Sequence, residues 1–301
     1  MDSLPIRARR LPLRVRLALC VVVGALVACL FAPWLAPYPE REILPTTESW
    51  EVAFWSQQCD EAGRAERRCW DALNLDRSPK TWLGTDHLGR DLLSRLIFGA
   101  RNTVTIALAT ASLALAVGVS LGLFAALLPP GIEQWLSRLM DVVQAVPSVV
   151  VALVVLALLG TSIISLTLVI GLLEASRVYR IARALARQVM QAPYVEAARL
   201  RGEGYRWVMW REVLPNVRGP LLVEFGSRFC GIMLFTCALS FLGFGIQPPA
   251  ADWASMVREN AAGITFGSVI PLMPAAAIAL VVVGVNVLVD WLADRQSGGD
   301  F

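Results

Sequence analysis

A single histidine, His87, stands among the 301 residues, which all but excludes histidine-paired nucleophiles and multi-histidine metal sites. Lysine is as scarce. The only one, Lys80, follows Arg77-Ser78-Pro79 and no glycine loop, so the phosphate-cradling G-x-x-x-x-G-K-[ST] pattern is absent. If ATP drives this protein, another chain must hydrolyse it. Charge is thin overall, at 17% of residues against 56% hydrophobic, which exceeds what a soluble domain needs for its core and places the chain in a membrane. Of six cysteines, Cys20, Cys29, Cys230 and Cys237 lie in apolar stretches, where cysteine acts as a small hydrophobe, and none shows metal-ligand spacing.

What is present in abundance is long apolar runs. A span needs roughly 20 largely apolar residues to cross about 30 Å of hydrocarbon. Stretches at about 17–34, 103–128, 143–159, 163–178, 221–244 and 269–292 qualify, giving about six spans, with Gly160-Thr161-Ser162 separating the third from the fourth. Glu174 and Arg177 lie near the end of the fourth. The fold class expected is an all-α polytopic membrane protein.

Arginine placement orients it. Arg7, Arg9, Arg10, Arg14 and Arg16 precede the first span, which argues that segment 1–16 stays in the cytoplasm. With six spans the loop at about 184–218 and the tail 293–301 are cytoplasmic too. That loop and its approach hold Arg180, Arg183, Arg187, Arg199, Arg201, Arg206, Arg211 and Arg218, whereas acids dominate the external segment 35–102. A secretory signal peptide competes for residues 1–35, but the apolar part is long and runs into Pro33-Trp34-Leu35 without a small-residue cleavage site, which favours a retained anchor. Cys59 and Cys69 fall in the external segment, where an oxidising compartment permits a disulfide; a bridge and two free thiols both stay open.

The stretch 194–216, YVEAARLRGEGYRWVMWREVLPN, is a charged island with four arginines and three acids between apolar segments. Glu196-Ala197-Ala198 sits late in a helical pattern that starts near Arg180, and Gly202 and Gly204 permit a turn. A second short helix follows, with Tyr205, Val208, Met209 and Val213 on one apolar face, ended by Pro215. The pattern fits a groove on a soluble partner, and equally a helix held on the inner leaflet by arginine.

Glu196-Ala197-Ala198, Gly202 and Leu214-Pro215-Asn216 resemble the EAA loop of permease subunits in ATP-binding-cassette importers. Three further stretches resemble one branch, the second ("C"-type) permease of oligopeptide, dipeptide and nickel importers. They are Gly84 to Arg95 (GTDHLGRDLLSR), Asp141 with Pro147-Ser148, and Leu239 to Gly243 through Gln247-Pro248-Pro249 to Asp252-Trp253. The resemblance covers about residues 15–292. It implies the type I importer permease fold, with a core over 103–292 and a coupling loop at about 184–218 that docks on an ATPase. The coupling residues it implies are Glu196, Ala197, Ala198, Gly202, Gly204, Tyr205, Met209, Leu214 and Pro215. Arg201, Glu203 and Ala175 depart from the family pattern. Taken alone, Gly84 to Arg95 also reads as an amphipathic interfacial helix with Arg90 and Arg95 as headgroup anchors.

Pathway or gate candidates are Pro147, Ser148, Glu224, Arg228, Gln247 and Pro248. Glu224 and Arg228, at i and i+4 in the fifth span, are placed to neutralise one another, and an internal pair outweighs a substrate contact. The resemblance implies these partners: a second homologous permease, two ATPase subunits carrying ATP and Mg, and an extracytoplasmic solute-binding protein in a bacterial inner membrane. Membrane lipid is a further partner. This chain is expected to bind no cofactor, metal or nucleic acid of its own and to catalyse no reaction. Peptide is the expected cargo, with nickel, a metal chelate or an opine as alternatives. A secondary transporter is the reading from a different class, for which internal repeats are missing.

Overall fold

The computed structural model describes residues 12–40, 42–43, 81–266 and 268–297. Cys59, Cys69 and most of the 38–80 segment lie outside the described residues. Helix α1 (Leu13–Leu35) kinks at Phe31, just before Pro33, whose ring removes an intrahelical hydrogen bond. It packs against α2 (Leu92–Ala125) and the last helix, α10 (Leu272–Ser297).

Helix α2 begins eleven residues before the expected 103, because Asp91 caps it by accepting the Ser94 N–H at 2.8 Å. The charges of Arg95 and Arg101 hide that start from a hydropathy reading. Residues 84–91 form a loop and not an amphipathic helix; Arg90 and Arg95 are buried in ion pairs and are no headgroup anchors. The expected span 143–159 is also broken. Helices α3 (Pro130–Ala145) and α4 (Ser148–Leu159) meet at 83°. Pro147 forces the residue before it out of helical geometry, and Val146 is extended at φ −92°, ψ 135°.

Helix α5 (Ile163–Met190) starts at a Ser162–Ser165 capping box and runs well beyond the expected 178. It runs parallel to α2 at very short range, Leu113 meeting Gly171 and Gly122 meeting Ala182 further along both helices. A Cβ on Gly118 would stand 2.5 Å from Val178 Cβ, and one on Gly122 would stand 2.8 Å from Ala182 Cβ, so only glycine permits this approach. By length and composition the described residues hold four helices able to cross a membrane, or five if α3 and α4 form one bent span. The expected six is therefore not met on that measure. Helix α5 is long enough, but Glu174, Arg177 and Arg180 interrupt its apolar run.

The island is built differently from its pattern. Pro193 leaves Ala192 extended and separates α6 (Pro193–Leu200) from α5, so Glu196-Ala197-Ala198 lies on its own helix. Gly202 turns the chain at φ +89°. Helix α7 (Tyr205–Val208) then passes through a π turn (Met209–Val213) into α8 (Leu214–Phe241). Pro215 does not end the helix. It follows a widened turn in which the Leu214 N–H bonds to Met209 O, an arrangement that makes room for a ring that would otherwise meet the preceding turn. Helix α9 (Trp253–Asn260) returns the chain between α8 and α10.

Two apolar clusters hold the molecule. The larger joins α2, α4, α5, α8, α9 and α10 around Leu156, Ile170, Ile232, Met233 and Met256. The smaller, with Leu123, Ala182, Ala186, Val195, Val208 and Val213, lies under the island.

Candidate functional site

The island is fixed from beneath and open on its outer side. Val195, Ala198, Val208, Met209 and Val213 are buried, so the expected apolar face on Val208, Met209 and Val213 points into this chain, and Met209 is an internal anchor and not a contact surface. Of that expected face only Tyr205 is exposed, with Arg199 over its ring at 5.6 Å. Glu196, Ala197, Gly202, Gly204 and Pro215 are exposed, and Leu214 is half-buried. The large apolar side chains that stand out are Leu200, 83% exposed, and Trp210, 71% exposed; Tyr194 and Trp207 are exposed as well. Sequence reasoning missed Leu200 and Trp210. Leu200 was available, since it sits opposite Val195 and Ala198 in helical register, whereas Trp210 lies three residues from Val213 and an α-helical reading puts both on one face, a register that the π turn at Met209–Val213 changes.

The pathway candidates separate into three places. Pro147 and Ser148 mark the α3–α4 bend. Gln247 and Pro248 are exposed in the turn before α9, where the Gln247 amide donates to Gly243 O at 3.1 Å and Gly245 O at 3.2 Å, closing the turn on itself. Glu224 and Arg228 do pair, at 2.7 Å, and Arg228 also reaches Glu174 on α5 at 3.4 Å. Arg177 pairs with the same Glu174. One turn further along, Arg180 joins Asp141 at 3.2 Å and Gln144 at 2.8 Å on α3. Glu133, absent from the expected residues, is buried between Arg183 and Arg187 and ties α3 to α5.

A further charged centre joins the loop before α2 to α9. Asp86, fully buried, pairs with Arg90 at 2.7 Å and with Arg95, while Glu259 meets Arg90 at 3.1 Å and Arg95 at 3.0 Å. Burial pushes the Asp86 carboxyl upward. The Arg90 and Leu88 backbone N–H donors and the two guanidinium charges outweigh that, and it ends below its ordinary value. Asp252, the N-cap of α9, goes the other way: burial raises it despite hydrogen bonds from Ser255 and Ala254. His87 N–H donates to Asn260 Oδ1 at 3.1 Å, Trp253 Nε1 to Leu96 O at 2.9 Å and Asn102 Nδ2 to Ala251 O at 2.7 Å, so α9 and the turn before it are fastened to α2 and to the loop that leads into it. Asp86, His87 and Glu259 bring ligand atoms within 4.8 Å of one another. Two guanidinium groups already hold both carboxylates, which makes the place poor for a cation.

A helical bundle of long apolar elements with a charged two-helix loop seated on its own apolar cluster defines a polytopic membrane transport subunit. Residues 118–297 match the family of binding-protein-dependent transport system inner membrane components, and the chain belongs to that family. It is 35% identical over 269 residues to the di/tripeptide transport system permease protein DppC of Pseudomonas aeruginosa (strain UCBPP-PA14), covering 88% of this chain and 81% of that protein. It is 30% identical over 292 residues to the glutathione transport system permease protein GsiD of Escherichia coli O6:K15:H31, covering 96% and 87%. The GsiD protein of Pectobacterium atrosepticum is 29% identical over 243 residues, covering 81% of each chain. A crystal structure of an amino acid ABC transporter with histidines aligns at a TM-score of 0.49 and 20% identity, over 67% of this chain and 94% of that one.

Proposed function

We propose that this chain is one permease half of an ATP-driven importer of di- and oligopeptides, and that α6, the Gly202 turn and α7 form its coupling element. The observation that carries this reading is the island itself. Its inner side is locked by Val195, Ala198, Val208 and Val213, while Leu200, Tyr205 and Trp210 stand in the open beside arginines. Large aromatic and aliphatic anchors ringed by charge are what a groove on a soluble partner selects. The likeness to a di/tripeptide permease and to glutathione permeases supports a peptide cargo.

In this reading ATP and Mg sit on two separate ATPase subunits, which hydrolyse the nucleotide, and this chain catalyses nothing itself. A second, homologous permease completes the path, and an extracytoplasmic binding protein delivers the peptide. The protein lies in a bacterial inner membrane, surrounded by lipid, with both termini and the island in the cytoplasm, as the arginine distribution supports. No nucleic acid is a partner. Closure of the ATPases moves the island, and the directly attached α5 and α8 carry that movement to the path.

The test is a disulfide crosslink from Gly204→Cys to cysteines lining the cleft of the co-expressed ATPase. Gly204 suits this because a Cβ there meets nothing within 4 Å and its φ is −71°, whereas Gly202 at φ +89° would be strained. A crosslink whose yield changes with nucleotide is the expected result. No crosslink at any island position in an assembled complex would place the helix pair on lipid and refute the mechanism.

A further inference from the structure

Helix α3 is amphipathic in the reverse sense to a helix on a soluble protein. Its polar stripe faces α5: Glu133 sits between Arg183 and Arg187, Ser137 meets Tyr179 Oη at 2.9 Å, Asp141 meets Arg180 at 3.2 Å, and Gln144 donates to Ser176 O at 3.1 Å. The order of these pairs makes the two helices antiparallel. On the opposite side Ile132, Trp135, Leu139 and Val142 recur at i, i+3, i+7 and i+10, and all four are more than half exposed, Trp135 at 73%.

Depth follows from α5. The bonds of Glu133 and Ser137 put Trp135 level with a point about 18 residues beyond Ile163, which at roughly 1.5 Å per residue is about 27 Å along that helix. Hydrocarbon is about 30 Å thick. With the Gly160-Thr161-Ser162 break at one face of the membrane, Trp135 stands at the level of the headgroups of the other, where tryptophan concentrates. Leu139 and Val142 follow from there into the hydrocarbon.

The stripe suits lipid better than a further protein helix. Where α2 and α5 meet closely they do so through Gly118, Gly122 and Ala182, as helix contacts in a membrane generally do. The exposed stripe of α3 is made of large side chains. Charge then selects the headgroup. Arg138 flanks the stripe, 5.7 Å from the Trp135 ring centroid, and among the described residues no carboxylate pairs with it. Residues 130–145 of α3 and 174–187 of α5 together hold five arginines and three acids, so the surroundings carry a positive surplus. A headgroup of net negative charge gains from that surplus and a zwitterionic one gains less.

We propose that the outer face of α3 is a lipid-binding surface, and that Arg138, held over Trp135, receives the phosphate of an anionic phospholipid. The inference goes beyond the importer reading and is independent of the cargo, of the ATPase partner and of which side the termini face.

The experiment uses the assembled complex in phosphatidylcholine nanodiscs, with native cysteines replaced and Leu139→Cys carrying the fluorophore NBD. Leu139 is exposed, so the label leaves the packing intact. A small, equal fraction of phosphatidylcholine or phosphatidylglycerol bearing a nitroxide high on one acyl chain is included, and the quenching is compared. Both lipids should quench, the anionic one at least about twofold more strongly, a preference of about 0.4 kcal/mol. Adding Arg138→Gln should make the two equal while quenching by phosphatidylcholine persists. Quenching by neither lipid would mean that water or another protein chain covers α3, and overturns the lipid surface. Equal quenching with Arg138 in place overturns the phosphate site, and a preference that survives Arg138→Gln overturns its assignment to this arginine.

Discussion

Asp86 is fully buried yet keeps a depressed pKa, because two backbone N–H groups and two arginines do for its carboxylate what water does outside. Its ordinary value is 3.8, and the folded value is lower. Its contribution to stability is therefore complete above the unfolded pKa and is lost as pH falls through the folded one. Thermal unfolding in detergent from neutral to strongly acid pH should show a decline at the acid end that Asp86→Asn flattens. The same substitution at neutral pH should cost about 3 kcal/mol, because it leaves Arg95, 1% exposed, short of a partner charge. A melting temperature unchanged by Asp86→Asn would show that the buried cluster is dispensable.

At the scale of elements, the contact between α2 and α5 is the closest-packed, since Gly118 and Gly122 bring the two helices together with no room for a side chain. Gly118→Val puts a branched side chain 2.5 Å from Val178 Cβ and 2.7 Å from Ala175 O, and neither backbone has room to retreat without moving Arg177 and Glu174. Overpacking of this kind typically costs about 1–3 kcal/mol, so a shorter half-life in detergent and loss of uptake are expected, whereas Gly131→Val, whose Cβ meets nothing within 4 Å, should leave both unchanged. Much of this scale was legible in the sequence. The apolar runs located α1, the body of α2, α8 and α10, because hydropathy follows from residue type alone. The Gly202 turn was legible for the same local reason. What composition could not reveal was set by distant partners: the charge of Arg95 in the first turn of α2, which masks the start that Asp91 caps, is buried only because Asp86 and Glu259 pair with it, and the passage through Pro215 depends on a π turn that no spacing announces. The break at Pro147 was open to inspection, since proline restrains its predecessor locally, but the apolar run on either side masked it. Glu133 and the inward valines of the island needed the fold of α5 to be known first.

For the molecule as a whole, the features combine into one mechanical arrangement. One end is stiffened where α9 is fastened to α2 by Trp253, Asn102 and the Asp86 cluster. The other end carries the island on a small apolar cluster of its own, in line with α5 and α8. Between the two lie the ion pairs of Arg177, Arg180 and Arg228, which join α3, α5 and α8. The island is attached to α5 and α8, the two helices that carry Glu174, Arg177, Glu224 and Arg228, so in the proposed mechanism a push on it reaches those ion pairs first. The central claim is that the exposed side of the island transmits the state of an ATPase to the helical bundle. Its most direct test compares the intact complex with Leu200→Ser/Trp210→Ser in proteoliposomes, recording ATP hydrolysis and peptide uptake together. Both positions are exposed, so the fold has no need of them; as interface anchors each is expected to carry about 2 kcal/mol. The account predicts that uptake falls at least tenfold and that binding-protein-stimulated hydrolysis falls with it. Uptake and stimulation equal to those of the unsubstituted complex would contradict it.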